Sequence, residues 1–296
     1  MVFFIYVVLT SINLKLNNYK EAYRYFNLAT KEFEIYPDQG VKLPWYYKSV
    51  ASLYLEFGEN HKAELNIKQA LEMLGNEESI IKWNTGIVYE FMKLKVSKNK
   101  TEILAALEGI IYLLSKYKNS EVILAIVYDV ALELVDLDQR ELAFKLVDEY
   151  KDIREENGDT RLRRKYIEAL RCNNSEKEQM LTSALQLAIE IKNDKIYLKI
   201  CSSLGKYYFQ VDNNEKTLIY YLNACRQVKN IAISVPEEFR IKFVNSNNLL
   251  QYFNILVEAK QLYSKLNGNS YKKYDCIKDE DELAEFFEEL DKILRS

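Results

Sequence analysis

The hydrophobic positions of this chain recur at helical spacing, and the helices they predict come in pairs. In "YVVLTSINLKLNNYKEAYRYFNLAT" (6–30), apolar and small side chains fall three and four residues apart on either side of the polar break "LNNY". That is the pattern of two amphipathic helices joined by a tight turn. The pattern returns in "YKSVASLYLEFGENHKAELNIKQAL" (47–71), where Ala63, Ile67 and Ala70 match Ala22, Phe26 and Ala29 at an offset of 41 residues. A third copy, "CSSLGKYYFQVDNNEKTLIYYLNAC" (201–225), carries Leu204, Gly205 and Tyr208 on its first segment and Thr217, Tyr221 and Ala224 on its second. "FGEN" and "VDNN" stand where "LNNY" stands, and Asn, Gly and Asp are turn residues.

These residues resemble the tetratricopeptide repeat, whose signature is W-x2-L-G-x2-Y on one helix and A-x3-F-x2-A on the next. A small residue such as Gly205 or Ala51 lets the first helix approach its partner, and Tyr208 or Tyr54 fills the space beside it. Weaker copies keep parts of the pattern: Gly86 and Tyr89; Ala131 and Leu134 followed by Ala143, Val147 and Tyr150; and Leu181 with Ala184. Six helix pairs fit between about residues 3 and 230. The spacing is near 40 residues rather than about 34, so each helix is nearly one turn longer than in the standard repeat. HEAT repeats have about that length and stand as the alternative, but the L-G-x2-Y and A-x3-F/Y-x2-A pattern favours the tetratricopeptide type. The elongated form resembles that of bacterial regulatory proteins.

The resemblance implies an all-α fold, a right-handed α-solenoid of tetratricopeptide-like pairs over residues 1–230. A closing helical pair is expected at 231–267, where Pro236, Glu237 and Glu238 suit a helix start. This "PEE-aromatic-R" stretch resembles the segment that closes the tetratricopeptide region of large clostridial-type signalling proteins, ahead of a sensor or diguanylate cyclase domain. A linker follows at 268–279, with Gly268 as helix stop, and then an acidic amphipathic helix at 280–296. In that helix Leu283, Phe286, Phe287, Leu290, Ile293 and Leu294 form one apolar stripe. Such a stripe suits a cap on the array or a helix leading into a further signalling domain.

The opening run "MVFFIYVVL" carries no Lys or Arg before Lys15 and no A-x-A site, and it ends after nine residues. It therefore fits neither a secretory signal nor a membrane span. Counting back from Ala22 makes it the first helix of the first pair. Its apolar residues run all round, which predicts a further helix packed against Phe3, Phe4 and Val7.

Composition narrows the function classes. The chain is 48% apolar over 296 residues, with eight glycines and three prolines, which favours long helices over sheet. A net charge of −3 gives no overall attraction to nucleic acid or anionic lipid, and neither is expected as a partner. The most basic run, "RLRRKYIEALR", follows the acidic "REENGD" and reads as a solvated helix start. Cys172, Cys201, Cys225 and Cys276 form no clustered motif and read as reduced thiols of a cytoplasmic protein, while His61 is the only histidine. No metal site, cofactor or catalytic residue is expected: GxxxxGK[ST], GxGxxG, HExxH and GxSxG are all missing.

What remains is binding. On the tetratricopeptide register the concave groove is lined by the first helix of each pair. That places Trp45, Lys48 and Ser52, then Trp83 and Glu90, Tyr128 and Asp136, Tyr166, and Lys206 and Gln210 on the groove, with core packing as the alternative for each aromatic. Aromatic anchors among a few polar groups suit a protein or peptide ligand. The resemblance implies a sensor or interaction module of bacterial signal transduction with an adjoining signalling domain. A stand-alone peptide-pheromone receptor and a constitutive assembly scaffold are the alternatives.

Overall fold

The computed structural model describes residues 2–76, 78–117, 120–153, 157–247, 249–263 and 272–295, and every regular element among them is helical. One compact unit, Met1–Arg154, holds α1 (Val2–Lys15), α2 (Tyr19–Ile35), α3 (Leu43–Glu56), α4 (Asn60–Leu74), α5 (Ile80–Val96), α6 (Lys100–Leu114), α7 (Ser120–Asp136) and α8 (Arg140–Glu149). A second, Glu155–Ser296, holds α9 (Gly158–Arg171), α10 (Asn174–Ile191), α11 (Asp194–Gln210), α12 (Asn214–Ser234), α13 (Arg240–Ser246), α14 (Leu250–Tyr263) and α15 (Glu280–Arg295). Within each unit helices pack in adjacent pairs, α1 with α2, α3 with α4 and so on to α11 with α12. In the first unit α1, α3 and α5 also touch in succession.

The turns explain why the pairs form where they do. Asn17, Gly58, Asp138 and Asp212 each follow the first helix of a pair and each adopts positive φ, between 57° and 78°. The next residue closes the turn with a long backbone bond: Asn18 N–H to Asn13 O at 2.8 Å, Glu59 to Tyr54 at 2.8 Å, Gln139 to Leu134 at 2.7 Å, Asn213 to Tyr208 at 2.9 Å. This is the Schellman arrangement, which stops a helix and satisfies its last carbonyls. Asn, Gly and Asp are the residues that accept its left-handed backbone at least cost.

The small residues act as the repeat pattern requires. A Cβ on Gly205 would lie 2.3 Å from the ring of Tyr221, so α11 and α12 touch at a distance only glycine permits. Ala22, Ala29, Ala51, Ala63 and Ala70 are all buried at the equivalent contacts of the first two pairs. Tyr208 is also interior: its hydroxyl donates to Glu178 and accepts from Lys216 Nζ at 3.1 Å, tying α10, α11 and α12 together.

The expectation for the opening helix is corrected. Phe3 and Val7 do not await another helix; they are buried in a cluster with Ala29, Tyr46 and Val50, and Phe3 lies 5.4 Å from the Tyr46 ring. Phe4 is partly buried, edge-on to Trp45 at 6.2 Å. The face of α1 left outward is the opposite one.

Past the array, α12 runs on to Ser234, and a short 3-10 turn, Glu237–Phe239, leads into α13. Gly268 and the first residues of the expected linker lie outside the described residues. The described remainder, 272–279, is irregular, bends at Asp275, and is held in place. Asn254 Nδ2 donates to Tyr274 O at 2.7 Å while Tyr274 N–H donates to Asn254 Oδ1 at 3.0 Å. Asn245 grips Ile277 in the same two-way manner, at 2.7 and 2.9 Å. The stripe of α15 is packed: Leu283, Phe286, Leu290 and Ile293 are buried, Phe286 lies 5.4 Å from Phe253 of α14, and Lys229 of α12 pairs with Asp291. In the second unit this helix therefore packs against α12 and α14.

Candidate functional site

The candidate groove residues divide by unit and by burial. In the first unit, Trp45 and Lys48 sit one turn apart on α3, with the Lys48 ammonium 5.3 Å from the centre of the Trp45 ring. Beside them Ser11 of α1 and Ser49 of α3 share a hydrogen bond of 2.8 Å, which joins the two helices. Burial pushes the Lys48 amine down to about 8, with the nearby positive charge of Lys15 adding to the effect. Among the described residues neither lysine has a carboxylate partner. Ser52 spends its hydroxyl on the Lys48 carbonyl at 3.0 Å.

On α5 the Trp83 indole N–H donates to Glu78, and its ring lies 6.0 Å from Tyr117. Tyr117 donates to Asn84 at 2.7 Å, and burial pushes its hydroxyl up to about 12. Glu90 is turned toward α6: a Cβ on Gly109 would lie 2.8 Å from its carboxyl carbon, and it pairs with Lys93 at 2.7 Å. Tyr128 is only 3% exposed and belongs to the core of α7, while Asp136 is exposed at that helix's end.

In the second unit Tyr166 is 4% exposed and serves packing, its hydroxyl bonded to Ser203 at 3.0 Å. Lys206 and Gln210 are exposed on α11. Tyr128 and Tyr166 therefore leave the set of side chains that can meet a ligand directly, because their rings already fill the space between helices.

Sequence reasoning missed one concavity in the second unit. The end of α10, the start of α11 and the middle of α12 enclose an open cleft of about 480 Å³, lined by Lys192, Asp194, Tyr197, Arg226, Gln227 and Asn230 among others. Its polar groups are engaged with one another: Arg226 donates to Asn223 at 3.0 Å, and Gln227 bonds Asp194, whose carboxyl burial pushes upward. The signal available was the spacing of Asn223, Gln227 and Asn230 on one face of α12.

The described residues hold no group of three or more His, Cys, Asp or Glu placed to bind a metal ion, and no helix among them is long and apolar enough to cross a membrane. All four cysteines are unpaired, and burial pushes the Cys201 thiol up to about 12, which makes it unreactive. No protein-family model matches the chain, and comparison with characterised proteins finds no match.

Proposed function

We propose that this chain is a non-catalytic binding region of tetratricopeptide-like helix pairs, right-handed in the sense of that repeat, that captures a protein or peptide segment on the face shared by α1, α3 and α5. The observation that supports it is Lys48: a partly buried amine with no carboxylate partner among the described residues, set against a partly buried indole and flanked by a second lysine. Leaving a charge desolvated and unpaired lowers stability, and an acidic side chain beside an apolar one on a partner restores what solvent withholds. The reading is of a cytoplasmic sensor or interaction module in bacterial signalling, acting on an adjoining domain through the ligand it holds.

Both tryptophans of the chain, Trp45 and Trp83, lie on α3 and α5, so intrinsic fluorescence reports binding at this face. Peptides selected from a random displayed library against the intact chain are expected to carry an acidic residue next to an apolar one and to change that fluorescence. Lys48→Met is expected to weaken them about tenfold, roughly 1.4 kcal/mol, and to flatten their salt dependence. Selected peptides whose affinity ignores both Lys48→Met and Trp45→Leu would defeat the reading.

A further inference from the structure

The cleft between α10, α11 and α12 takes one charge from each of its walls: Lys192 where α10 ends, Asp194 where α11 begins and Arg226 in the middle of α12. All of its lining residues belong to the second unit and to the described residues. Arg226 and Asp194 have opposite signs, yet they make no ion pair with each other. Each is held by an amide of α12 instead, Arg226 by Asn223 at 3.0 Å and Asp194 by Gln227. Lys192 likewise has no carboxylate partner among the described residues. An amide orients a charged group without neutralising it, so both signs stay available to a molecule in the cleft.

The local backbone does not account for these residues. Lys192 sits at φ 58°, in the left-handed region, where the helix-ending positions Asn17, Gly58, Asp138 and Asp212 use the residue types that accept it with least strain. Lysine is not one of them. Asp194 stands in the first turn of α11, where the helix dipole favours a charged carboxylate, and its side chain reaches solvent. Partial burial nevertheless pushes its carboxyl upward, so it lacks the cation that would hold it down. A strained lysine and an uncompensated carboxylate facing one concavity are the marks of a binding surface.

Three fixed charges, two positive and one negative, are answered by a zwitterion with one surplus negative charge. Its ammonium meets Asp194, one carboxylate meets the planar fork of Arg226, and a second meets the point charge of Lys192. A short methylene chain between them has Ile189, 53% exposed on the same wall, to lie against. The volume, about 480 Å³, is within the range of small-molecule sites. A phosphate or a plain dicarboxylate would set a negative charge beside Asp194, and a simple cation would leave both positive groups unanswered. We infer that this cleft is a site for a free acidic α-amino acid, its ammonium on Asp194, its α-carboxylate on Arg226 and its side-chain carboxylate on Lys192. The inference does not depend on what the α3 face binds.

Isothermal titration calorimetry of the intact chain with L-glutamate and L-aspartate is expected to show binding of at least one of them at about 1 mM or tighter. L-Glutamine, which lacks the surplus charge, and N-acetyl-L-glutamate, which lacks the ammonium, are each expected to bind about tenfold more weakly or worse. Arg226→Gln and Asp194→Asn are expected to lose at least as much affinity with an unchanged helical circular dichroism spectrum, since both side chains reach solvent. Lys192→Asn separates binding from folding: it is expected to raise Tm by relieving the left-handed lysine while weakening the ligand. Neither heat nor a rise in Tm with either amino acid up to about 10 mM overturns the inference. So does affinity that ignores both Arg226→Gln and Asp194→Asn, N-acetyl-L-glutamate binding as tightly as L-glutamate, or an acidic dipeptide binding more tightly than either amino acid.

Discussion

Asn254 holds Tyr274 by both hydrogen-bonding groups of its backbone, giving one bond at 2.7 Å and taking one at 3.0 Å. A single amide side chain thus satisfies both backbone groups of a residue that lies outside any regular element. Asn254→Asp keeps the acceptor and loses the donor, leaving the Tyr274 carbonyl facing a carboxylate. We expect it to cost about 1–3 kcal/mol in urea unfolding, with faster amide exchange at Tyr274 and through α15. Equal exchange in the two proteins would show that α15 stays docked without the clamp.

The Tyr274 hydroxyl itself is buried with no hydrogen-bond partner among the described residues, while its ring packs between Phe253 and Phe286. Tyr274→Phe removes an unsatisfied group and keeps the ring, so it is expected to stabilise the chain by about 1 kcal/mol. Burial pushes this phenol up to about 12, so folding protects the protonated form. The wild type should lose stability as pH rises from about 10 toward 12, and a thermal melt series over that range should show a shallower loss in Tyr274→Phe.

Gly205→Ala is expected to destabilise by at least about 1–3 kcal/mol, because the new methyl would occupy the ring of Tyr221. Pairing it with Tyr221→Leu opens room for the methyl, so a double-mutant cycle should show a coupling of about 1 kcal/mol or more. Simple additivity would place the strain elsewhere.

Lys48 has the opposite linkage to Tyr274. Its folded pKa, about 8, lies below the unfolded value near 10.4, so between the two the unfolded chain binds more protons and stability rises with pH. Lys48→Met removes the buried charge and is expected to stabilise by about 1–2 kcal/mol at pH 7, an advantage that shrinks as pH climbs from about 8 to 10. A constant difference across that range would mean the amine is hydrated in the folded chain.

The paired helices and their turns were legible because each depends on local chemistry: alanine or glycine where helices touch, and Asn17, Gly58, Asp138 and Asp212 where the backbone turns left-handed. Side-chain destinations were not. Tyr128 and Tyr166 carry the same amphipathic ring as a surface tyrosine, and only the neighbours that close over them decide the matter. On α1, apolar residues on both faces gave no hint of which face the fold would take. Phe3 rather than Ile5 turns inward because Phe33 and Tyr46 wait there, far along the chain. The cleft at Lys192 and Arg226 joins helix segments more than thirty residues apart, beyond the reach of any local motif.

The left-handed turns at Asn17, Gly58, Asp138 and Asp212, which end the first helices of four pairs, also set where the chain tolerates a change of length. One residue added at Asn17 or Asp212 would rotate the next helix by about 100°, swinging Ala22 or Tyr221 out of phase with its partner. One helical turn added at the far end of a pair preserves phase and lengthens the stack. The α12 helix has 21 residues and α8 only ten, yet each follows the same kind of turn. Related chains should therefore differ in length at the ends of helices such as α8 and α12, while the left-handed residues Asn17, Gly58, Asp138 and Asp212 stay in register.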